Sequence, residues 1–481
     1  MSINAALNSA ASGLTAVSRA TALVSNNIAN AGTPGYARRT LALSSSAIAG
    51  VAVNGVVRHN DPVLTAQRRE SDALVQQADI QLAFFTDLTR QIGTINDPLG
   101  LTARLADFES SLISAASRPD LTTRLDESTQ KAADLAETLR ATSADIQEQR
   151  TRSDKAIATM VNDLNTDLGR LHELNKRITS AEVNGLDPAS LEDQRQIILD
   201  RVNAIVPVTV VPRPRGQIAL YTDGGALLLN DTPAKIEFTQ SSFIQPDMTI
   251  TSGRLSGIKI NGLDVRTGSS DGALRGGALG AHFALRDEWA VSAQADLDAV
   301  ARDLIERFQS PAIDPTLGVG AAGLFTDRQA AFNPANEEGL SLRLELNDLV
   351  NPAEGGQSWR LRDGLGAVAQ GDPGNSTLIN SLRGALTNTR TPATGGFTTG
   401  TQSAASFVEA LTSRFQSNLA KAQNDQSFSA ATQAELSRSE LALGVDSDAE
   451  LQSLILLEQN FAANARVLET IDQMITELLR I

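Results

Sequence analysis

Apolar residues at both ends of this chain recur on an alternating four-and-three spacing, the period that lets one helix lie along another over many turns. Near the start the series is Ile3, Leu7, Ala10, Leu14, Val17, Thr21, Val24 and Ile28; near the end it is Leu454, Leu457, Phe461, Asn464, Leu468, Ile471, Ile475 and Leu478. The spacing predicts one helix from about Asn4 to Asn30 and another from Ser447 to Ile481. The first is marginal alone, because its outward residues are small and polar and Gly13 costs roughly 1 kcal/mol relative to Ala. Asn30, in a left-handed cap, and the run Gly32, Thr33, Pro34, Gly35 should stop it. The second should open on a capping box of Ser447 and Glu450. Two stripes that each lack a core are expected to pair with one another and with further copies, loose in the monomer and ordered on assembly. Asn464 inside the seam would fix their alignment.

Between the ends the period is helical first. Asp61 as cap and Pro62 in the first turn open a helix to about Ile92. A second runs from Leu101 to Ala116, with Leu101, Leu105, Phe108 and Leu112 on one face. A third, from about Leu121 to Val183, would extend roughly 90 Å at 1.5 Å per residue. Near Val202 the pattern changes to short strand candidates at Val206–Val211, Gln217–Tyr221, Ala226–Leu229, Ile236–Thr239 and Ile258–Ile260, separated by Gly, Pro, Asn and Asp. Helix returns from Ala278 to Gln309, a mixed Gly-rich region reaches Gly400, and a helix from Ala404 to Leu443 should pack back on the third.

The expected class is α+β multidomain: a discontinuous terminal α-helical coiled-coil domain, a long helical bundle and a small inserted β-rich domain. The boundaries are 1–60 with 445–481 for the terminal domain, 61–201 with 278–310 and 401–444 for the rod, and 202–277 for the β insert. Residues 311–400 belong to a mixed region that joins either the rod or the β domain.

Composition narrows the chemistry. With 41% hydrophobic residues the chain can bury real cores, but only 4% are aromatic, which suits closely packed helices better than a wide ligand cavity. A net charge of −15 argues against nucleic acid, which needs a concentrated basic face. The absence of cysteine removes disulfides, thiolate metal sites and a Cys nucleophile, and His59, His172 and His282 show no paired-ligand spacing. No metal, cofactor or catalytic residue is expected. Gly318–Gly323 matches a dinucleotide fingerprint by letter but lacks the flanking strand and helix, so a turn is the better reading. Neither a signal peptide nor a membrane span is legible, which fits a soluble chain or export without a cleaved signal. Residues 1–60 hold Arg19, Arg38, Arg39 and Arg58 and no acid, whereas residues 446–481 hold seven acids against Arg466 and Arg480. Opposite charge therefore favours pairing of the ends.

The run Ser25-Asn26-Asn27-Ile28-Ala29-Asn30-Ala31-Gly32-Thr33-Pro34-Gly35-Tyr36, with Ala37-Arg38-Arg39 after it, resembles the amino-terminal signature of flagellar rod, hook and hook-associated proteins. Glu458 to Val467 resembles the matching carboxy-terminal helix. Within that family the interior is similar to the hook-associated branch at the hook-filament junction. The residues that carry this are Gly50–Arg58 leading to Asp61, Leu105–Phe108, Arg118-Pro119-Asp120, Leu191–Arg195, Gly276–Leu297 and Gly320–Phe325. Gly32, Leu457 and Phe461 depart from the family's usual residues.

The resemblance implies a structural role without catalysis: export as an unfolded chain through the flagellar type III apparatus, and polymerisation into a ring outside the cell. The implied partners are copies of itself, the hook protein, a second junction protein or the flagellin side of the filament, and an export chaperone on the carboxy-terminal helix, with no nucleic acid and no membrane. The signature residues it singles out are Asn26, Asn27, Asn30, Thr33, Pro34, Gly35 and Tyr36. The alternatives are a hook or distal-rod protein of the same family, or a secreted protein carrying a binding or hydrolase insert.

Overall fold

The computed structural model describes residues 3–33, 35–46, 50–397 and 400–480. Helix α1 (Ile3–Ala29) is followed by an antiparallel hairpin, β1 (Arg39–Ser46) and β2 (Gly50–Arg58), with Arg39 opposite Arg58. Then come α2 (Pro62–Ile92), α3 (Leu101–Ser117), α4 (Thr122–Val183) and α5 (Ala189–Ile205). The Asp61 carboxylate caps α2, accepting from the Val63 and Leu64 backbone amides at 2.9 and 3.1 Å, which satisfies two donors that the first turn would leave open.

Two three-stranded antiparallel sheets follow: β3 (Val208–Pro212), β4 (Ile218–Thr222), β5 (Leu227–Leu229), and β6 (Ile236–Glu237), β7 (Ile258–Ile260), β8 (Leu263–Val265). The chain returns through α6 (Gly277–Ala284), a π-helical turn at Leu285–Trp289, and α7 (Ala290–Phe308). Beyond it lie β9 (Phe325–Asp327), α8 (Leu340–Arg343), β10 (Leu344–Leu346), α9 (Arg360–Asp363) and α10 (Thr377–Thr387), then α11 (Ala404–Ala442) and α12 (Ser447–Leu478). The fold is α+β and multidomain, dominated by helices with small antiparallel sheets.

Helix α4 organises the interior. Its apolar residues fall into two separate clusters: Leu125, Leu135, Leu139 and Ile146 join α2, α3, α7, α10 and α11, whereas Ile157, Leu164, Leu168 and Leu171 join α5, α6 and both three-stranded sheets. Leu101, Leu105, Phe108 and Leu112 of α3 are all buried in the first cluster, as their shared face predicts. Leu317, Leu324, Phe325, Leu340 and Ile379 from the Gly-rich region belong to that same cluster.

Three local expectations need correction. Helix α11 lies along α2, bonded through Gln426 to Asp79 and Gln433 to Asp72, and also meets α3 and α7; it does not return along α4. The apolar positions of α4 are already covered by α3, α5, α7 and the sheets. The helix expected over Ala278–Gln309 is interrupted by the π-turn, which turns Arg286 inward to the buried Asp154 carboxylate at 2.6 Å. At the start of α12 the cap is Asp446, whose carboxylate accepts from the Asp448 and Ala449 amides; Ser447 is the first helical residue, and Glu450 makes no capping box. An Asp in extended conformation one residue earlier takes the capping role and frees Glu450 for other work.

Candidate assembly site at the paired chain ends

Helices α1 and α12 lie side by side and antiparallel: Asn27 meets Glu450, and Gly13 meets Asn464. Of the stripe positions, Ala10, Val24 and Ile471 are buried. Ile3, Leu14, Val17, Ile28, Leu454, Leu457, Asn464, Leu468 and Ile475 are half-buried, and Leu7, Phe461 and Leu478 are exposed. A second apolar face of α12, with Leu451, Ile455, Leu456, Val467 and Met474, is exposed as well. Gly13 has a concrete use: a Cβ there would sit 3.0 Å from Nδ2 of Asn464, so glycine lets the polar seam residue reach the α1 backbone.

The signature residues build a polar lock at one end of this pair. Asn27 has no exposed surface, and its amide is completely used. Nδ2 donates to the Arg39 carbonyl at 2.9 Å and to Glu450 Oε2 at 3.0 Å, while Oδ1 accepts from the Tyr36 hydroxyl at 2.8 Å and the Arg39 amide at 3.0 Å. Glu450, 1% exposed, also accepts from Arg38 Nε at 2.6 Å. Burial pushes the Tyr36 phenol above its ordinary value; Arg39 pulls it down, and Asp193 and Glu450 add to the rise. Arg39 also stacks over the Tyr36 ring at 4.9 Å.

The other signature residues shape the approach to this lock. Asn30 is not left-handed; its backbone amide and its Nδ2 both donate to the Asn26 carbonyl, so the side chain itself closes the helix end. Thr33 donates its amide to the Asn30 carbonyl. Gly35 adopts φ +75°, and a Cβ there would lie 2.8 Å from Ile197 of α5, so only glycine brings this loop against that helix. Pro34 lies outside the described residues.

The roles of Arg38, Arg39, Arg58, Asp193 and Glu450 were not legible as a unit. Asp193 accepts from Arg39 and from Arg58 Nε at 2.7 Å. The available signal was the acid-free stretch 1–60, whose arginines needed carboxylates from elsewhere in the chain. Among the described residues no group of three or more His, Asp or Glu is placed to hold a metal ion, and no helix is long and apolar enough to cross a membrane. Gly318–Gly323 forms turn and irregular backbone between α7 and β9.

Residues 85–311 match the family described as the flagellar hook-associated protein FlgK helical domain. Residues 7–36 match the flagella basal body rod protein family, and residues 442–481 match the carboxy-terminal region of flagellar basal body rod FlgEFG proteins. The chain is 27% identical over 239 residues to flagellar hook-associated protein 1 of Bacillus subtilis strain 168, covering 46% of each. These matches are all to flagellar hook-associated and basal body rod proteins.

Hook-associated protein 1 of Escherichia coli K12 is 26% identical over 287 residues, covering 56% of this chain and 51% of the relative. The Salmonella typhimurium relative is 29% identical over 245 residues, covering 48% and 43%. The chain thus spans about half the length of the curated relatives it matches. A solved structure titled as the flagellar hook junction protein FlgK from Burkholderia pseudomallei aligns with a TM-score of 0.46 at 18% identity, over 54% of this chain and 46% of that one. The two short matches at the ends coincide with the paired helices and the lock, and the long match covers α3 to α7.

Proposed function

We propose that this chain is a structural subunit that polymerises, outside the cell, into the ring joining flagellar hook to filament. The observation that carries this reading is the under-buried helix pair. Of the sixteen stripe positions only Ala10, Val24 and Ile471 are buried, while Phe461 and Leu478 of the stripe and Leu456, Val467 and Met474 beside it face solvent. Isolated exposed apolar residues are ordinary, but a helix with apolar groups on two faces calls for a second covering surface. Neighbouring copies supply it in a ring, and an export chaperone covers the same α12 face beforehand. The hook protein lies on one side of the ring, and a second junction protein or flagellin on the other.

The organisation that goes with this role has residues 1–60 with 445–481 as the assembling domain. Residues 61–201 with 278–310 and 401–444 form the rod, 202–277 the insert, and 311–400 goes with the rod on account of its shared core. The subunit works through surfaces, with no reaction to catalyse.

The test is a deletion strain complemented with the full chain, with residues 31–481, or with residues 1–446. The full chain restores filaments on hooks and swimming; both truncated chains leave bare hooks. Normal filaments from either truncated chain would overturn the assignment of assembly to the ends. Hydrogen exchange adds a second arm: α1 and α12 should gain protection on polymerisation, and strong protection of Val17 and Leu468 already in the monomer would count against ordering on assembly.

A further inference from the structure

The body made of α1, β1, β2 and α12 keeps its packing to itself. The ion pairs that carry it onto the rod both end on one carboxylate, Asp193 of α5, which holds Arg39 of β1 and Arg58 of β2. All three side chains are only 11 to 12% exposed, so the contact depends on charge pairing in a largely buried place. Arg39 Nε is buried with no partner, so the contact is incompletely satisfied even when closed. Next to it Gly35 comes close to Ile197 of α5.

Otherwise the chain crosses between the two bodies at His59–Asp61 and at Leu443–Asp446. Between these crossings lies a cleft of about 620 Å³, with Thr33, Tyr36 and Arg58 on one wall and Leu64, Asp200 and Leu441 on the other. Inside each body the contacts are more extensive: Asn27 and Glu450 lock the terminal helices, and Arg68 of α2 holds Asp72, Asp200 and Glu440 together. Among the described residues the plane with few contacts across it therefore runs between the lock and α5.

We propose that Asp193 is the latch of a hinge. Closed on Arg39 and Arg58, it sets one angle between the terminal body and the rod; released, it lets the terminal body turn about the two crossings into the cleft. Neither body changes its own fold in the process, because no helix of either core spans the plane.

The chain has no cysteine, so two introduced ones label cleanly. Spin labels on Ser18→Cys in α1 and Asp163→Cys in α4, both exposed, report the angle in the full-length monomer. Even though α1 tightens further on assembly, the parent should give the narrowest distance distribution of the set. Asp193→Asn, which keeps size and loses charge, should broaden it at least twofold, as should Asp193→Ala. Arg39→Ala with Arg58→Ala should broaden it equally, and adding Asp193→Asn to that pair should add nothing. An unchanged distribution in Asp193→Asn overturns the proposal. So does broadening accompanied by lost helical circular dichroism or by faster exchange throughout α5, since Asp193 would then hold up the rod's own fold.

Discussion

Changing one atom of Asn27 tests the polar lock most sharply. In the Asn27→Asp variant the group 3.0 Å from Glu450 Oε2 becomes a carboxylate oxygen. Two donor bonds disappear, and two like charges meet at a site with no exposed surface on Asn27 and 1% on Glu450. At an effective dielectric of about 20 and a separation of about 3 Å the repulsion is about 5 kcal/mol before Arg38 offsets part of it. Asn27→Ala removes all four bonds of the amide without adding charge and should cost about 3 kcal/mol, from a buried carboxylate and phenol that each lose a partner.

The charged variant should therefore be the worse of the two at pH 7.5. The two carboxylates would share a proton, so the folded-state pKa of the pair lies above the unfolded value. Stability relative to wild type should then return as pH falls through that raised pKa, while the Asn27→Ala deficit stays flat. Hydrogen exchange of the α1 and α12 amides, referenced to wild type at pH 7.5 and 4.5, reads the difference directly. An Asn27→Asp variant as protected as wild type at pH 7.5, or one with no recovery relative to Asn27→Ala at pH 4.5, would refute the lock.

Other outcomes follow from the same structure. Asp154→Ala removes one of the two carboxylates that hold the buried Arg286, whose side chain and that of Asp154 are both 0% exposed, and leaves Asp287 in place, so urea unfolding should show a loss of about 1 to 3 kcal/mol; no measurable loss would contradict the pairing. His282 is pushed by burial down to about 4 from 6.5, so the native state resists protonation and stability should fall as pH drops from 6.5 to 4, by about 3 kcal/mol, then level off. Urea midpoints at pH 7 and 4.5 should show that pH-dependent loss shrinking in His282→Gln. Gly13→Ala gains helix propensity but places Cβ 3.0 Å from Asn464 Nδ2; it should weaken protection of α12, and Asn464→Ala in the same chain should reverse the loss. If the single substitution strengthens protection, the close fit has no energetic weight.

Long periodic segments were readable because their information is local. The ends of α2 and α3 fell within a residue of expectation, and Leu135, Leu139 and Ile146 of α4 are fully buried where the stripe put them. The β1 and β2 hairpin carries no clear strand signal, since Leu41 and Leu43 alternate with small residues and Leu43 and Val57 both remain exposed. Helix α5 was not assigned either. The π-turn depends on Asp154, more than a hundred residues before Arg286, and a helical pattern carries no mark of it. At the site, pairing of the ends was legible from period and charge. The lock was not, because Asn27 and Glu450 are separated by 423 residues and Asp193 comes from the rod.

Helix α4 passes from one hydrophobic cluster into the other without a break, and between Ile146 and Ile157 it carries only the polar node of Arg150 and Asp154. Each residue of an α-helix advances the azimuth by roughly 100°. A single amino acid added in that interval would rotate one set of apolar contacts away from its partners and leave the other in place. Length variation in this shaft is consequently quantised: additions of about seven, eleven or eighteen residues bring the phase back to within about 20°, and other lengths must be absorbed in loops.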